Sequence, residues 1–450
     1  MSHVSLPTSW RSVLPHLDEP LPPDRSPEVA AGGADSGVAV NLPFALVRQS
    51  TQNREFWDIP AEVLDSYRSF RPTPMWRARR FEDAVGARVP IYVKYEGGNI
   101  SGSHKLNTAL AQAYYYAKAG VKELVTGTGA GQWGTALAAA CAMFGLRCRV
   151  FMVGTSLRRK PYRGTLMRTL GATVHASPSD LTEVAARVGG GVNSLALAIG
   201  EAVEYAGRTE GAAFCIGSGE TYSILHQSVI GLEAIEQLAA LESEVDSVVG
   251  CVGAGSNFGG IALPFFAEAA VTGAECPRLV AAESSTTPKL TRGVYAYDKT
   301  DATGVSPMEA MYTIGSSYPI PDSHSAGLRF HGAAKVISAM RHQDQVTAQA
   351  VGQVEALEAG QAFTRSEMVL PAPESGHALA VAARLAASGG SSRGVVACVS
   401  GHGYLDLSAY QQLADGELSS EPPEEQALVS AMDRLQPVPG LAIAGSGHAV

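Results

Sequence analysis

The sequence predicts a parallel α/β protein, and three features of the chain support that prediction. Between about residues 75 and 415, short β-rich segments alternate with Ala- and Leu-rich segments of helical composition, the pattern of parallel sheets with helical crossovers. Two predicted strands, SVVGCV and GVVACV, are continuously apolar, as strands covered on both faces are. The 450 residues, 46% of them apolar, are enough for two or three domains or one large α/β unit.

The predicted strands lie in order along the chain, each followed by a helical stretch. They are VPIYVKY, KELVTG, CRVFMVG, DSVVGCVG, PRLVAAES and GVVACVS. Residues 1 to about 40 are rich in Pro, Gly and Ser, which predicts an irregular arm. The predicted divisions are an arm and extension at 1–70, a first α/β domain at 71–225 with a crossover segment near 71–103, a second at 226–417, and a peripheral tail at 418–450.

Charge and cysteine usage exclude several classes of protein. A net charge of −9 argues against nucleic acid or an anionic membrane as the main partner. The six cysteines show no paired spacing, so we expect reduced core residues and no metal site. The N-terminus lacks a basic patch followed by an apolar stretch, so no signal peptide is predicted. We therefore expect a cytoplasmic protein with no membrane partner.

The stretch VTGTGAGQWG carries four glycines in eight positions, between a predicted strand and a predicted helix. Glycines let the backbone approach a ligand closely, and the N–H groups at a helix N-terminus favour an anion. The spacing matches neither the dinucleotide fingerprint nor the P-loop. The stretch therefore predicts a site for a small anion, and a tight turn without a ligand is the alternative.

Three further stretches lie where predicted strands meet helices: GSHKLNTA, CVGAGSNFGG and VSGHGYLD. Taken singly, they are compatible with a solvated lysine, a tight turn and an ordinary strand end. Taken together, they offer a lysine that can form a Schiff base when desolvated, a backbone nest for a phosphate monoester and a hydroxyl at a strand end. This combination suggests pyridoxal phosphate as the cofactor.

At this point the chain resembles a known family, the tryptophan synthase β chain, and specifically its second class with a longer N-terminus. The resemblance runs from about residue 40 to about 415. It is carried by RPTPMWRA, YEGGNISGSHKLNTA, TGAGQWG, KPYRGTLMRTLGA, LHQSVIGLEA, GCVGAGSNF, TRGVYAYD, GLRFHG, PAPESGHAL and SGHG. The implied fold is the type II pyridoxal-phosphate fold, with two three-layer α/β domains and the cofactor between them.

The resemblance implies a role for individual residues. Lys105 would be the Schiff-base lysine and then the base that removes the Cα proton, and Glu374 would lie beside the cofactor ring. Ser400 would face the pyridine nitrogen; because a neutral hydroxyl does not protonate the ring as a carboxylate would, expulsion of a β leaving group is favoured over transamination. The phosphate would be held by His104, Gly253, Ala254, Gly255, Ser256 and Asn257, and the phenolic oxygen by Asn107. The α-carboxylate of the amino acid would be bound by Thr128, Gly129, Ala130, Gly131, Gln132 and Trp133.

The chain departs from the family at two positions that would determine specificity. The family normally has a glutamate immediately before Thr-Gly-Ala-Gly-Gln, which steers indole and handles its proton, and here that position is Gly127. We expect a wider pocket there, a changed second substrate, and better indole condensation on restoring the glutamate. Glu220 stands where the family has an apolar residue, and it is interpreted either as a relocated carboxylate or as a solvated loop residue.

The implied activity is β-replacement on L-serine or a related β-substituted amino acid by way of an aminoacrylate, with a nucleophile other than, or in addition to, indole. Three alternatives remain open: ordinary tryptophan synthesis with a relocated carboxylate, deamination of serine or threonine, and a catalytically retired regulatory homologue. The resemblance implies a homodimer, leaves an α-subunit partner undecided and adds a monovalent cation as a candidate cofactor. The intact HKLN, GAGSN and SGHG segments favour an active enzyme.

Overall fold

The computed structural model describes residues 4–25, 42–188, 194–300, 307–388, 393–419 and 423–438. Residues 1–3 and 26–41 of the predicted irregular arm and the end of the predicted tail, residues 439–450, lie outside the described residues. Within these ranges no helix is both long enough and apolar enough to cross a membrane.

The strands, in chain order, are β1 (Ser9–Arg11), β2 (Phe56–Asp58), β3 (Met75–Arg77), β4 (Ile91–Tyr95), β5 (Glu123–Thr128), β6 (Arg147–Val153), β7 (Thr173–Ser177), β8 (Ala212–Phe214), β9 (Val245–Cys251), β10 (Arg278–Ser284), β11 (Val294–Asp298), β12 (Glu309–Thr313), β13 (Val346–Val351), β14 (Gly394–Val399) and β15 (Gln436–Pro437). The α-helices are α1 (Phe44–Thr51), α2 (Ala61–Tyr67), α3 (Arg79–Val85), α4 (Lys105–Lys118), α5 (Gln132–Phe144), α6 (Gly154–Arg159), α7 (Pro161–Thr169), α8 (Glu183–Val188), α9 (Leu195–Arg208), α10 (Thr221–Gln227), α11 (Val229–Ala240), α12 (Ser256–Thr272), α13 (Lys335–His342), α14 (Gln353–Glu367), α15 (Pro373–Ser388), α16 (Leu407–Ala414) and α17 (Glu425–Met432). Short 3₁₀ turns lie at Leu14–His16 and Ala326–Leu328.

Two larger sheets form the framework. The six-stranded sheet has the order β13-β10-β9-β14-β4-β3 and is parallel except for β3, which runs antiparallel to β4 at its edge. The four-stranded sheet has the order β7-β6-β5-β8 and is parallel throughout. The α/β prediction is thereby confirmed, and each of the six predicted strands is present within one or two residues.

The composition of the central strands explains their position. Every residue of β14 is buried, as are the last five residues of β9, because a parallel strand covered by helices on both faces has no polar side to expose. β3 and β4 pair within the six-stranded sheet although they precede the four-stranded sheet in the chain. Both strands lie within the predicted crossover segment near 71–103, so this part of the segment belongs to the six-stranded sheet. The domain boundaries themselves stay a prediction.

Two small sheets contain strands of the N-terminal region and of the tail. β1 pairs with β2, and β11 lies between β12 and β15 in an antiparallel three-stranded sheet. Arg25 of the arm pairs backbone to backbone with Met308 beside β12. The six cysteines are unpaired, and all but Cys276 are buried.

Candidate active site

A cavity lies where the carboxyl ends of β5, β9 and β14 face one another, so that both larger sheets contribute to its walls. Its lining includes Lys105, Thr128, Cys251, Glu374 and Ser400. The carboxyl ends of parallel strands are where open α/β sheets place ligands, because the following helices direct their N-termini at that edge. The predicted loops therefore meet in one cavity, which sequence order alone does not require.

Lys105 is the first residue of α4 and lines this cavity. Its ammonium makes no hydrogen bond or ion pair with the described residues. Burial lowers the pKa of Lys105, and the negative charge of Glu374 opposes that shift only in part. A lysine that gives up its proton readily is the form that attacks a carbonyl, and this is what the predicted Schiff-base role requires.

His104, next to Lys105, is held between two elements of the cavity wall. One ring nitrogen, Nδ1, lies 3.2 Å from the carbonyl oxygen of Ser400, and the other, Nε2, lies 3.2 Å from Oγ of Ser256. Burial and the charge of Lys105 lower the pKa of His104 to about 3. The imidazole is therefore neutral at physiological pH, and with Nδ1–H donated to Ser400 it presents an acceptor to the Ser256 hydroxyl.

The segment from Gly253 to Asn257 forms a backbone nest at the start of α12. Gly255 has φ of +138°, a conformation that a side chain rarely adopts, and it precedes the first helical residue, Ser256. A Cβ on Gly253 would overlap the carbonyl oxygen of Gly327. The four residues from Gly253 to Ser256 line the cavity together with Asn257, so free N–H groups at a helix N-terminus face it, as anion sites require.

Two hydroxyls and a thiol meet at the far end of this cavity. Ser400 Oγ lies 2.8 Å from Oγ of Ser375 and accepts a contact from the Cys251 thiol at 3.5 Å. Burial raises the pKa of Cys251 to about 11, so the thiol is protonated. Both side chains that contact the Ser400 hydroxyl among the described residues are thus neutral.

Glu374 and Gln132 connect the two sides of the cavity. Gln132 Nε2 donates to Glu374 Oε1 at 2.8 Å, and the backbone N–H of Gly327 donates to the same oxygen at 2.8 Å. The other carboxylate oxygen, Oε2, is buried without a hydrogen-bond partner among the described residues. A buried carboxylate oxygen with no partner is costly, and this observation indicates that a bound group completes the site.

The loop from Thr128 to Trp133 leads from the end of β5 into α5. Gly131 has φ of +92° and precedes α5, and its N–H donates to Oγ1 of Thr128. Trp133 is fixed by its indole N–H, which donates to Thr126 Oγ1 at 2.8 Å. Thr128, Gly129, Ala130, Gln132 and Trp133 line the cavity, whereas Gly131 does not.

Asn107 is the predicted cofactor residue that the structure keeps away from the cavity lining. Its side chain accepts from Arg71 at 2.8 Å and donates to Gln227 and Glu96 at 2.9 and 3.2 Å. This amide is therefore committed to a fully buried polar network beneath α4. The expectation that Asn107 bonds the phenolic oxygen stays a prediction.

The space at Gly127 differs from the expectation. Gly127 lines the cavity within β5, but a Cβ on it would lie 2.5 Å from the backbone nitrogen of Ile199 and 2.7 Å from the carbonyl oxygen of Ala198. The backbone of α9 therefore occupies the room that a side chain would take. The expected wider pocket is wrong for this reason, and so is the expectation that a glutamate could simply be put back.

Glu220 precedes α10 and lines the cavity, as does Glu309 of β12. The placement of Glu220 in the cavity wall does not agree with the interpretation of a solvated loop residue. Glu309 and the cavity-lining Arg163 are residues that sequence reasoning missed. Alternation with Met311 could have indicated Glu309, since residues two apart on a strand share a face. Arg163 is held by Asp406 at 2.6 Å.

The residues present fit pyridoxal phosphate. The unpaired amine of Lys105 suits the aldehyde, the nest at the start of α12 suits the phosphate, and Ser400 offers a hydroxyl for the ring nitrogen. The partnerless oxygen of Glu374 points to a missing ring or substrate group. Each feature is an independent property of the chain, and together they match the chemistry of one cofactor.

Comparisons with known proteins agree with this fit. Residues 67–401 match the model of the pyridoxal-phosphate dependent enzyme family. The chain is 43% identical over 435 residues to tryptophan synthase β chain 2 of Aeropyrum pernix, covering 94% of this chain and 97% of that one. It is 45% identical over 423 residues to the tryptophan synthase β chain of Pyrobaculum islandicum, covering 92% and 99%.

Solved structures support the fold. The processed form of threonine deaminase isoform 2 from Solanum lycopersicum superposes with a TM-score of 0.60 at 16% identity, covering 89% of this chain and 98% of that one. Maize serine racemase gives a TM-score of 0.56 at 17% identity, covering 79% and 98%. At such low identity these likenesses show the fold alone. The sequence matches show more: the chain belongs to the pyridoxal-phosphate dependent enzymes and, within them, to the tryptophan synthase β chain family, and it is a pyridoxal-phosphate dependent lyase.

Proposed function

We propose that the chain catalyses β-replacement on L-serine or a related β-substituted amino acid, with a nucleophile other than, or in addition to, indole. In this reaction the Cβ–O bond of serine breaks and a bond from the nucleophile to Cβ forms. The serine hydroxyl and the proton of the nucleophile leave together as water. The observation that carries the changed nucleophile is Gly127, because the position from which the family presents a glutamate has no room for any side chain.

Pyridoxal phosphate, when bound, supplies the electron sink that makes the Cα–H bond of an amino acid acidic. Lys105 would hold the cofactor covalently and, once released by the incoming amino acid, would take the Cα proton on Nζ. The lowered pKa of Lys105 supports this second role, since an ammonium cannot accept a proton. His104 and the nest before α12 would fix the phosphate.

The α-carboxylate of the amino acid would lie at the N-terminus of α5. There Gly129, Ala130 and Gln132 line the cavity, and the N-terminus of the helix favours an anion. The hydrogen bond from Gln132 to Glu374 ties this loop to the opposite wall. The loop would therefore orient the amino acid, and this role does not require the glutamate that is absent at Gly127.

Ser400 would face the ring nitrogen with a neutral hydroxyl. Its contacts are the Ser375 hydroxyl and the protonated Cys251 thiol, so the environment supplies no group that would hold a full proton on the ring. With a neutral partner at the ring nitrogen the bound cofactor would be a weaker electron sink, and expulsion of the β substituent would be favoured over transamination.

A second candidate is ordinary tryptophan synthesis with a relocated carboxylate. It is favoured by one observation, the presence of Glu220 in the cavity wall. Burial raises the pKa of Glu220, which is the direction expected of a carboxyl that takes up a proton near neutral pH.

The experiment that tests the proposal is a visible spectrum of the reconstituted holoenzyme with L-serine, L-threonine and O-phospho-L-serine in turn, followed by mass spectrometry of the products. A spectral change with serine or phosphoserine and no added nucleophile supports β-replacement chemistry. The absence of any change with all three amino acids would overturn the proposal.

A further inference from the structure

Two carboxylates face the cavity from elements that the amino acid and the cofactor do not use. Glu309 is the first residue of β12, and it shares its strand face with Met311, which also lines the cavity. Glu220 comes directly after the Gly217–Gly219 segment, whose first glycine packs on the Trp133 ring. We call Glu220 and Glu309 the acidic pair. It lies in the same cavity as Lys105, outside the predicted carboxylate and phosphate sites.

The acidic pair has no partner among the described residues. Neither side chain makes a hydrogen bond or an ion pair there, and the ammonium of Lys335, whose charge acts on both carboxyls, is held by Asp24 at 2.6 Å. An unpaired carboxylate in a cavity is costly because burial disfavours its charge. Burial and mutual repulsion accordingly raise the pKa of Glu309 to about 8, and burial raises the pKa of Glu220.

The N-terminal arm fixes this end of the cavity. Arg25 and Met308 exchange backbone hydrogen bonds at 3.0 Å in both directions, and the Tyr297 hydroxyl donates to the carbonyl oxygen of Pro23 at 2.9 Å. Asp24 lies between these contacts and adds a third carboxylate, neutralised by Lys335. The acidic pair is thereby set in a braced wall of the cavity.

A second, independent observation shows that the cavity awaits a ligand. Oε2 of Glu374, a residue only 6% exposed, has no hydrogen-bond partner among the described residues. Among the described residues, the cavity thus offers no hydrogen-bond donor to Oε2 of Glu374 on the cofactor side and no hydrogen-bond partner to the acidic pair. The cofactor and the amino acid have predicted contacts of their own, and the group left to satisfy the pair belongs to the second substrate.

We propose that the second substrate is a nucleophile that carries a positively charged nitrogen group, which binds between Glu220 and Glu309. This inference rests on the proposed β-replacement and names the class of nucleophile for it. A cation between two carboxylates forms charge-assisted hydrogen bonds and offsets the cost of holding both charges in the cavity. Indole, which is neutral and has one N–H, leaves at least one of the two carboxylates uncompensated.

The experiment uses matched pairs of indoles as probes on the full-length holoenzyme. In each pair, one indole carries an aminomethyl group, which is an ammonium at neutral pH, and the other carries an ethyl group of similar size at the same ring position. Ring positions 4 to 7 are tested in turn. Affinity is measured by calorimetry without an amino acid, in two buffers of different ionisation heat. Glu309→Gln and Glu220→Gln are compared with Glu358→Gln, an exposed carboxylate on α14 outside the cavity.

We expect the ammonium member of at least one pair to bind ten-fold or more tightly than its ethyl partner, with release of a proton to the buffer. The release follows because a bound cation favours the ionised form of the pair. Both cavity variants should reduce the preference below about three-fold, since each removes one of the two charges, and Glu358→Gln should keep it. Equal affinity within every pair, or a preference that survives in both variants, overturns the inference. A holoenzyme that shows the preference but no spectral change with serine overturns the proposed function instead.

Discussion

The backbone nitrogen of Ile199 lies 2.5 Å from the point that a Cβ on Gly127 would occupy. A glycine in a strand that lines an active-site cavity could have meant an enlarged pocket. Here the backbone of α9 packs against Gly127 and fills the space that a side chain would take, so the glycine does not enlarge the cavity. The departure from the family at this residue is therefore a change of packing as well as a loss of charge.

The first prediction concerns that packing. Gly127→Ala should lower the free energy of unfolding by about 1–3 kcal/mol, the usual cost of overpacking, and Gly127→Glu should cost more without improving indole condensation. The measurement is denaturant unfolding of both variants together with a tryptophan assay. Gly129→Ala is the matched control for stability, because a Cβ there meets no atom within 4 Å. A Gly127→Glu protein that is as stable as the wild type and makes tryptophan faster would show that α9 yields.

The second prediction concerns the cofactor. Lys105→Ala should abolish the visible absorbance of the holoenzyme and the cofactor that borohydride fixes to the chain, because no other lysine lines the cavity among the described residues. Absorbance spectra and mass spectrometry after reduction measure both properties. Lys118→Ala, at the exposed end of the same helix, should leave them unchanged. A Lys105→Ala protein that still holds a full equivalent of borohydride-reducible cofactor would overturn the assignment of Lys105 as the Schiff-base lysine.

The third prediction concerns Ser400. Ser400→Asp places a carboxylate where it can hold a proton on the ring nitrogen, which should prolong the carbanion at Cα and slow product formation, on the order of 10²-fold. Exchange of the Cα deuterium of labelled serine should increase relative to product. Ser400→Thr keeps a neutral hydroxyl and is the control. If Ser400→Asp retains cofactor and the wild-type ratio of product to exchange, the neutral hydroxyl has no part in selecting the reaction.

The fourth prediction concerns acid stability. Burial lowers the pKa of His226 to about 3, against an ordinary value near 6.5, so the unfolded chain binds a proton below pH 6.5 that the folded chain excludes. The contribution of His226 to the free energy of unfolding is fully present above pH 6.5 and is lost as the pH falls towards 3. Between pH 7 and 5.5 the wild type should lose about 1 kcal/mol more unfolding free energy than His226→Gln.

Urea unfolding at the two pH values measures this difference. His342→Gln, at the end of α13, is the control and should retain the wild-type loss. Equal losses in the wild type and His226→Gln would show that the buried imidazole is protonated in the folded protein as well.

The sequence alone was sufficient to predict the features of the protein that depend on local patterns of residues. Alternating apolar strands and helices predicted the α/β fold, and the glycine loops with the HKLN lysine predicted pyridoxal phosphate; both are confirmed. The remaining features depend on which distant segments pack together. Asn107 lies within the matching motif but bonds Arg71 and Glu96, and Glu309 lines the cavity from β12, which pairs with β11. Arg71 is 36 residues from Asn107 in the chain, so no local motif reveals that contact, and for Glu309 the alternation with Met311 is the local signal that the sequence offered.

The most direct test of the central claim is the ratio of two rates measured together in one reaction of holoenzyme with saturating L-serine and indole. One rate is cleavage of the Cβ–O bond, followed as pyruvate plus tryptophan, and the other is formation of tryptophan alone. Without the carboxylate of the family, we predict that cleavage exceeds tryptophan formation by a factor on the order of 10²–10⁴, with pyruvate as the main product. Tryptophan formation that keeps pace with cleavage would contradict the account, because indole would then be as good a nucleophile here as in the rest of the family.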